Sequence, residues 1–189
     1  MNEDYSWLYD ELQNVKTFVL KNTTLYPTFQ SEVTVNHIRL RIDKKTDMSM
    51  CNIELPGYCL KDEAKIPDWM DYSSKCVKLY DIFISPTMLR KSIDSIENIA
   101  NERFTLEEAL LSTLVHEFTH AISIGFDDFI KDEFYTDFYA KEILSKLKPN
   151  MKFYTPYPYN DVYRKAYCDI GKSEKPDESK ARNIYYKQR

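Results

Sequence analysis

Glycine is almost missing from this sequence: there are three in 189 residues, Gly57, Gly125 and Gly171. The dinucleotide fingerprint, the phosphate-cradling loop and the nucleophile elbow all need clustered glycines, so none of them can be written anywhere in the chain. Long apolar runs are missing as well. The purest stretch, Ile82-Phe83-Ile84, falls far short of the roughly 20 residues that cross a bilayer, and no membrane partner is expected. An excess of positive charge is also lacking. With 26 Lys and Arg against 30 Asp and Glu the net charge is -4, the wrong sign for a protein that neutralises many phosphates, so no nucleic-acid partner is expected. The four cysteines, Cys51, Cys59, Cys76 and Cys168, contain no C-x-x-C pair, which removes a zinc ribbon and a thioredoxin-like redox motif. Met1-Asn2-Glu3-Asp4-Tyr5 offers neither the basic nor the apolar region of a secretory signal. A cytoplasmic protein is expected, its cysteines reduced and packed as small hydrophobes.

What is present suits an ordinary globular chain, 43% hydrophobic and 30% charged and long enough to bury a core without disulfides. Residues 1–170 are expected to form one domain and 171–189 a polar, mobile tail. Leu8, Leu12, Val15 and Val19 recur at four-three-four spacing and predict an amphipathic helix over about 3–20. Alternation predicts strands over 32–42, 50–55 and 76–84, enough for a small sheet. His37 falls on the polar phase of the first and reads as a solvated histidine. Ser85-Pro86 announces a helix carrying Leu89, Ile93, Ile96 and Ala100. Thr105 and Glu108 form a capping box that opens another, which should stop at Gly125. A third helical pattern starts near Asp128, runs through Glu133, Asp137, Ala140, Leu144 and Leu147, and ends before Pro149. Beyond it the chain is rich in Tyr and Pro, with seven of the fifteen tyrosines after Pro149.

Histidine is as scarce as glycine, three in all, and two of the three stand four apart in His116-Glu117-Phe118-Thr119-His120. Shuffling would produce this H-E-x-x-H pattern in well under about one chain in a hundred. Within the predicted helix the spacing puts both imidazoles on one face, able to reach a single ion, with Glu117 able to reach a water bound to it. Zinc takes three protein ligands and one exchangeable water in catalytic sites and lowers the pKa of that water to about 7, within reach of a carboxylate base. A core helix with two satisfied histidines is the structural alternative.

The third ligand must come from elsewhere. The H-E-x-x-H-x-x-G-x-x-H extension fails, because Ser123 and Phe126 occupy its glycine and third-histidine positions. Asp127 and Asp128 read as caps of the next helix. Glu133 lies a turn into that helix, which must fold back against the first, and Asp137 lies a turn further on the same stripe. Glu133 closes a His2Glu set, and Asp137 accepts the free ring N–H of a ligand histidine, His116. The competing reading is a solvated acidic start to a surface helix.

His116-Glu117-x-x-His120, followed by a helix with Asp132-Glu133-x-x-x-Asp137, resembles the gluzincin branch of the zinc metallopeptidases. The likeness covers residues 105–144 and is closest in scale to minimal gluzincins. It implies a backing helix, a small sheet, a zinc helix and a glutamate helix, with Zn2+ as cofactor and a peptide or protein as substrate. Glu117 is then the general base and the proton carrier to the leaving amine. Tyr154, Tyr157 and Tyr159 are candidates for donating to the oxyanion, and the strand ending at Ile84 is a candidate edge for an extended substrate.

The expected architecture is therefore α+β, a small mostly antiparallel sheet packed on helices, and the expected activity is that of a zinc metallopeptidase. The alternative is a non-catalytic interaction module binding a partner through its Tyr/Pro-rich C-terminal region. A latent form, with the tail in the cleft and Cys168 on the metal, is a further one.

Overall fold

The N-terminal apolar stripe becomes helix α1 (Trp7–Lys21), with Leu8, Leu12, Val15 and Val19 all buried. The chain is described here by a computed structural model over residues 4–22, 35–42, 49–50, 53–54, 57–65, 76–100, 102–122, 129–161 and 163–173. Five strands follow: β1 (Ile38–Ile42), β2 (Ser49–Met50), β3 (Ile53–Glu54), β4 (Gly57–Lys65) and β5 (Cys76–Ile84). Then come α2 (Pro86–Ala100), α3 (Leu106–Ile122), α4 (Phe129–Leu147), a 3-10 turn (Tyr157–Tyr159) and α5 (Arg164–Ser173). None of these helices is long and apolar enough to cross a membrane. Helices and a small sheet share one core, so the α+β expectation holds in outline.

The sheet corrects the expectation in three ways. Its order is β1-β5-β4, with β5 antiparallel to β4 but parallel to β1, so it is not the mostly antiparallel sheet expected. Alternation reports which face a residue takes and says nothing of strand direction. β1 pairs with β5 from Ile38 beside Tyr80 to Ile42 beside Ile84, and in that register Arg39 lies beside Asp81, its Nε and Nη2 donating to the two carboxylate oxygens at 2.6 and 2.9 Å. Second, β5 is the central strand, so the segment ending at Ile84 is not an edge; β1 and β4 are. Third, the expected strand over 50–55 is a separate two-stranded hairpin, β2-β3, and the sheet takes β4 instead. At the start of the expected strand over 32–42, Val35 and Asn36 are helical and His37 is an exposed turn residue.

α1 begins at Trp7, about a turn later than the expected start near residue 3, whereas the starts of α2 and α3 follow the sequence closely. Ser85 Oγ accepts from Met88 N at 3.3 Å ahead of Pro86, the first residue of α2. At α3, Thr105 N donates to Glu108 Oε2 at 2.8 Å and Glu108 N to Thr105 Oγ1 at 3.1 Å, the reciprocal box that satisfies two otherwise unpaired amides. Gly125, Asp127 and Asp128, expected at the turn between α3 and α4, lie outside the described residues. So do residues 174–189 of the expected tail, while α5 runs to Ser173 across its expected start.

α3 is the centre of the molecule. Leu110, Leu111, Leu114, Val115, Phe118 and Ile122 are buried around its whole circumference, packed by α1, α2, α4 and the β4-β5 pair. A helix enclosed on all sides must satisfy its polar side chains internally. Thr119 Oγ1 does so on Val115 O at 2.7 Å, and Ser112 Oγ accepts from Tyr154 N at 2.9 Å. This enclosed helix carries His116, Glu117 and His120.

Candidate metal centre

The spacing of four residues in α3 and the antiparallel return of α4 bring three donor groups to one point. His116 Nε2 and His120 Nε2 are 3.1 Å apart; Glu133 Oε2 lies 3.0 Å from the first and Glu133 Oε1 3.4 Å from the second. A first-row divalent ion held tetrahedrally by bonds of about 2.0–2.1 Å spaces its ligand atoms by about 3.3 Å, which these separations match. The three residues form a group able to hold a metal ion, each offering one ligand atom within 4.8 Å of the other two. Glu133 Oε2 supplies an independent indication. It is the one buried side-chain polar atom among the described residues that makes no hydrogen bond, although an imidazole nitrogen lies beside it. An orphaned oxygen of this kind costs about 1–3 kcal/mol unless something else pairs with it. A cation between the three donors would.

Each imidazole has its other nitrogen occupied. His116 Nδ1 is 2.7 Å from Asp137 Oδ1, the pairing expected between these two residues. His120 Nδ1 faces Thr136 Oγ1 and Asp132 Oδ2, both at 3.4 Å. Carboxylates on the Nδ1 side favour the proton there and leave each Nε2 lone pair turned inward, as metal ligation requires.

The charges in this cluster act strongly on one another. Burial disfavours the charged form of His116, yet Asp137 and Glu133 carry its pKa well above the usual histidine value. His120, opposed by burial but supported by Asp132 and Glu133, rises to about 9. Burial pushes the Glu133 carboxyl up, and the two imidazoles pull it well below the carboxylate range. Two nitrogens and a carboxylate thus converge on a point where positive charge is stabilised.

Glu117 sits beside His116 and stays off the three-donor cluster. It is 8% exposed and lines a cleft of about 570 Å³ together with His116 and Asp137. Burial raises its carboxyl above the ordinary range, against the pull of His116 and His120. Gly57, the first residue of β4, permits the close approach of sheet and helix here. A Cβ on Gly57 would fall 2.5 Å from Thr113 Cγ2, 3.2 Å from Phe83 O and 3.3 Å from Glu117 Oε1. Any side chain would push β4 off the helix at the level of Glu117.

The three candidate tyrosines separate. Tyr157 lines the cleft with its ring stacked over His116, centroids 6.4 Å apart, and burial with the nearby Glu133 carboxylate keeps its hydroxyl protonated. Tyr154 also lines the cleft, but its hydroxyl is committed to Ser92 Oγ at 2.6 Å. Tyr159 is not among the described residues that line the cleft, and its hydroxyl pairs with Glu102. Cys168 is a half-buried free thiol on α5, likewise absent from that lining. Three participants escaped the sequence reading. Asp132 faces His120, while Thr155 and Tyr167 both hydrogen-bond Asp137. Asp132 was visible only as a neighbour of Glu133, and nothing in the spacing of Thr155 or Tyr167 points to Asp137.

No family model matches this chain, and no curated protein or solved structure resembles it closely enough to count as a relative.

Proposed function

We propose that this protein is a zinc-dependent metallopeptidase of minimal gluzincin type, with His116, His120 and Glu133 as ligands and Glu117 as general base. The observation that carries the reading is the position of Glu117: a buried carboxylate next to the ligand group, opening onto the same cleft as His116. A structural metal site has no use for such a group. Bound zinc would supply a Lewis acid for the scissile carbonyl and a water of lowered pKa. Glu117 would take a proton from water in the cleft and deliver it to the departing amine. Tyr157, whose hydroxyl remains protonated and which faces the cleft, is the best placed of the three tyrosines to donate to the oxyanion.

The walls of the cleft favour a peptide of mixed character. Phe129, 54% exposed, stands with Tyr157 and Tyr163 on one side and offers an apolar, aromatic surface. Lys91 on α2 is the only Lys or Arg among the described lining residues. A bulky apolar side chain near an acidic one fits both. The test is a peptide mixture incubated with zinc-loaded protein and read by mass spectrometry. Wild type should cleave, and Glu117→Gln should lose about 100-fold or more in rate while keeping its zinc. Equal cleavage by both, or none by a zinc-loaded wild type, would refute the assignment.

A further inference from the structure

Asp137 is gripped from two directions. Its Oδ1 takes the His116 Nδ1–H at 2.7 Å, while Oδ2 accepts the Tyr167 hydroxyl at 2.5 Å and the Thr155 hydroxyl at 2.6 Å. Neither hydroxyl comes from α3 or α4, the two helices that supply the ligands. Both belong to the segment after Pro149, which crosses the site and returns as α5. The same segment lays Tyr157 over His116 and stacks Tyr157 on Tyr167, ring centroids 5.6 Å apart and planes 14° from parallel. Tyr167 meets Phe134 of α4 edge-on at 5.1 Å. One turn further, Gly171 sits so close to Phe134 that a Cβ would lie 3.2 Å from its ring, so the backbone of α5 rests directly on that side chain of α4.

We propose that Thr155 and Tyr167 are positioning residues for His116, so that docking of the C-terminal segment and metal loading are coupled. The inference rests on reading His116, His120 and Glu133 as a metal centre. His116 presents the Nε2 lone pair only while its proton stays on Nδ1 and its ring stays in plane with that acceptor. The acceptor is one carboxylate, and a carboxylate with a single anchored oxygen can still pivot about its own χ2. Two hydroxyls donating to Oδ2 remove that freedom. Tyr167 is suited to the task, since burial and the Asp137 charge keep its phenol protonated and donating. The coupling runs both ways: whatever factor the docked segment adds to metal affinity, bound metal adds to docking.

Zn2+ dissociation constants, measured on the full chain by competition with a chromophoric chelator, test this. Tyr167→Phe and Thr155→Val, which delete only the donated hydrogen bonds, should each weaken binding by about 3- to 10-fold, below the 10- to 100-fold expected for Asp137→Asn. In the Asp137→Asn background, Tyr167→Phe should add no further loss. Tyr159→Phe, whose hydroxyl serves Glu102 in the same segment, should leave the constant unchanged. Hydrogen exchange should show residues 164–170 more protected once Zn2+ is added. Unchanged affinity in both hydroxyl variants overturns the proposal. So does a loss of the same size with and without the Asp137 carboxylate, which would make the contacts merely structural. If Tyr167→Phe does not fold, Thr155→Val carries the comparison alone. A folded wild type without Zn2+ affinity refutes the metal-centre reading itself, and does so before any variant is compared.

Discussion

Gly57→Ala is the sharpest test of how the sheet meets the site. The added methyl would lie 2.5 Å from Thr113 Cγ2 and 3.2 Å from the Phe83 carbonyl oxygen. Thr113 is buried on the enclosed helix α3 and Phe83 O belongs to the central strand, so neither neighbour can swing away as the end of a long side chain could. Forcing one methyl into such packing costs about 1–3 kcal/mol. Replacing glycine also removes freedom from the unfolded chain, which returns about 0.4–1 kcal/mol. A net loss of about 1–2 kcal/mol follows, about 2–8 °C in Tm for a chain of this length. Thr113→Ser deletes the clashing methyl and by itself loses about 1 kcal/mol as a buried methyl is removed. In the double variant the alanine methyl takes the vacated space, so its stability should return to within about 1 kcal/mol of wild type, a coupling well above additivity. Denaturant unfolding of the four proteins measures it. Gly57→Ala without effect, or a double variant that merely sums the two singles, would refute the close approach of β4 to α3 at Glu117.

Adding Zn2+ to metal-free protein at about 100 times its dissociation constant should stabilise the fold by about 2.7 kcal/mol, a rise of about 5–10 °C in a calorimetric scan. His120→Ala should abolish that rise. Thr105→Ala, which removes the cap of α3, should cost about 1 kcal/mol by denaturant titration and leave zinc stoichiometry unchanged, since the box lies almost three turns before His116. Lys91→Glu should shift the ratio of kcat/KM between acidic and basic peptides by up to about tenfold toward the basic ones at low salt. The shift should shrink as ionic strength rises, because Lys91 is exposed.

Much of the site was legible because helical periodicity is local. Two histidines four apart, a box three apart and a carboxylate one turn into the next helix determine which side chains share a face before any packing is known. The α1 stripe and the Ser85-Pro86 start were readable for the same reason. β4 was not, since Gly57–Lys65 carries four charged residues in its last five and lacks the alternation of a half-buried strand; pairing with β5 across nine positions outweighs its propensity. The direction of β1 was equally hidden, because a parallel and an antiparallel strand bury the same alternate residues. Thr155 and Tyr167 reach Asp137 from 18 and 30 residues away through a Tyr/Pro segment with no period, so only folding could reveal them. The same applies to the tyrosines. Three stood within six positions, and a single turn of 3-10 geometry sends Tyr157 into the cleft and Tyr159 to Glu102.

The cost of the cluster bears on its purpose. Glu117, Glu133 and Asp137 are each less than 9% exposed, and they surround two imidazoles on the most enclosed helix of the fold. Buried ionisable groups seldom add stability compared with well-packed apolar side chains, so a cluster kept only for structure would be expected to satisfy itself completely. Asp137 does, with three donors on its two oxygens. Glu133 does not: Oε2 lies 3.0 Å from a nitrogen and still makes no hydrogen bond. The difference is informative because the two residues sit one turn apart on the same helix and share His116 as a neighbour. The outer carboxylate is saturated and rigid, the inner one has spare coordinating capacity, and that division is what a site needs if its outer groups orient the ligands while its inner groups await an ion.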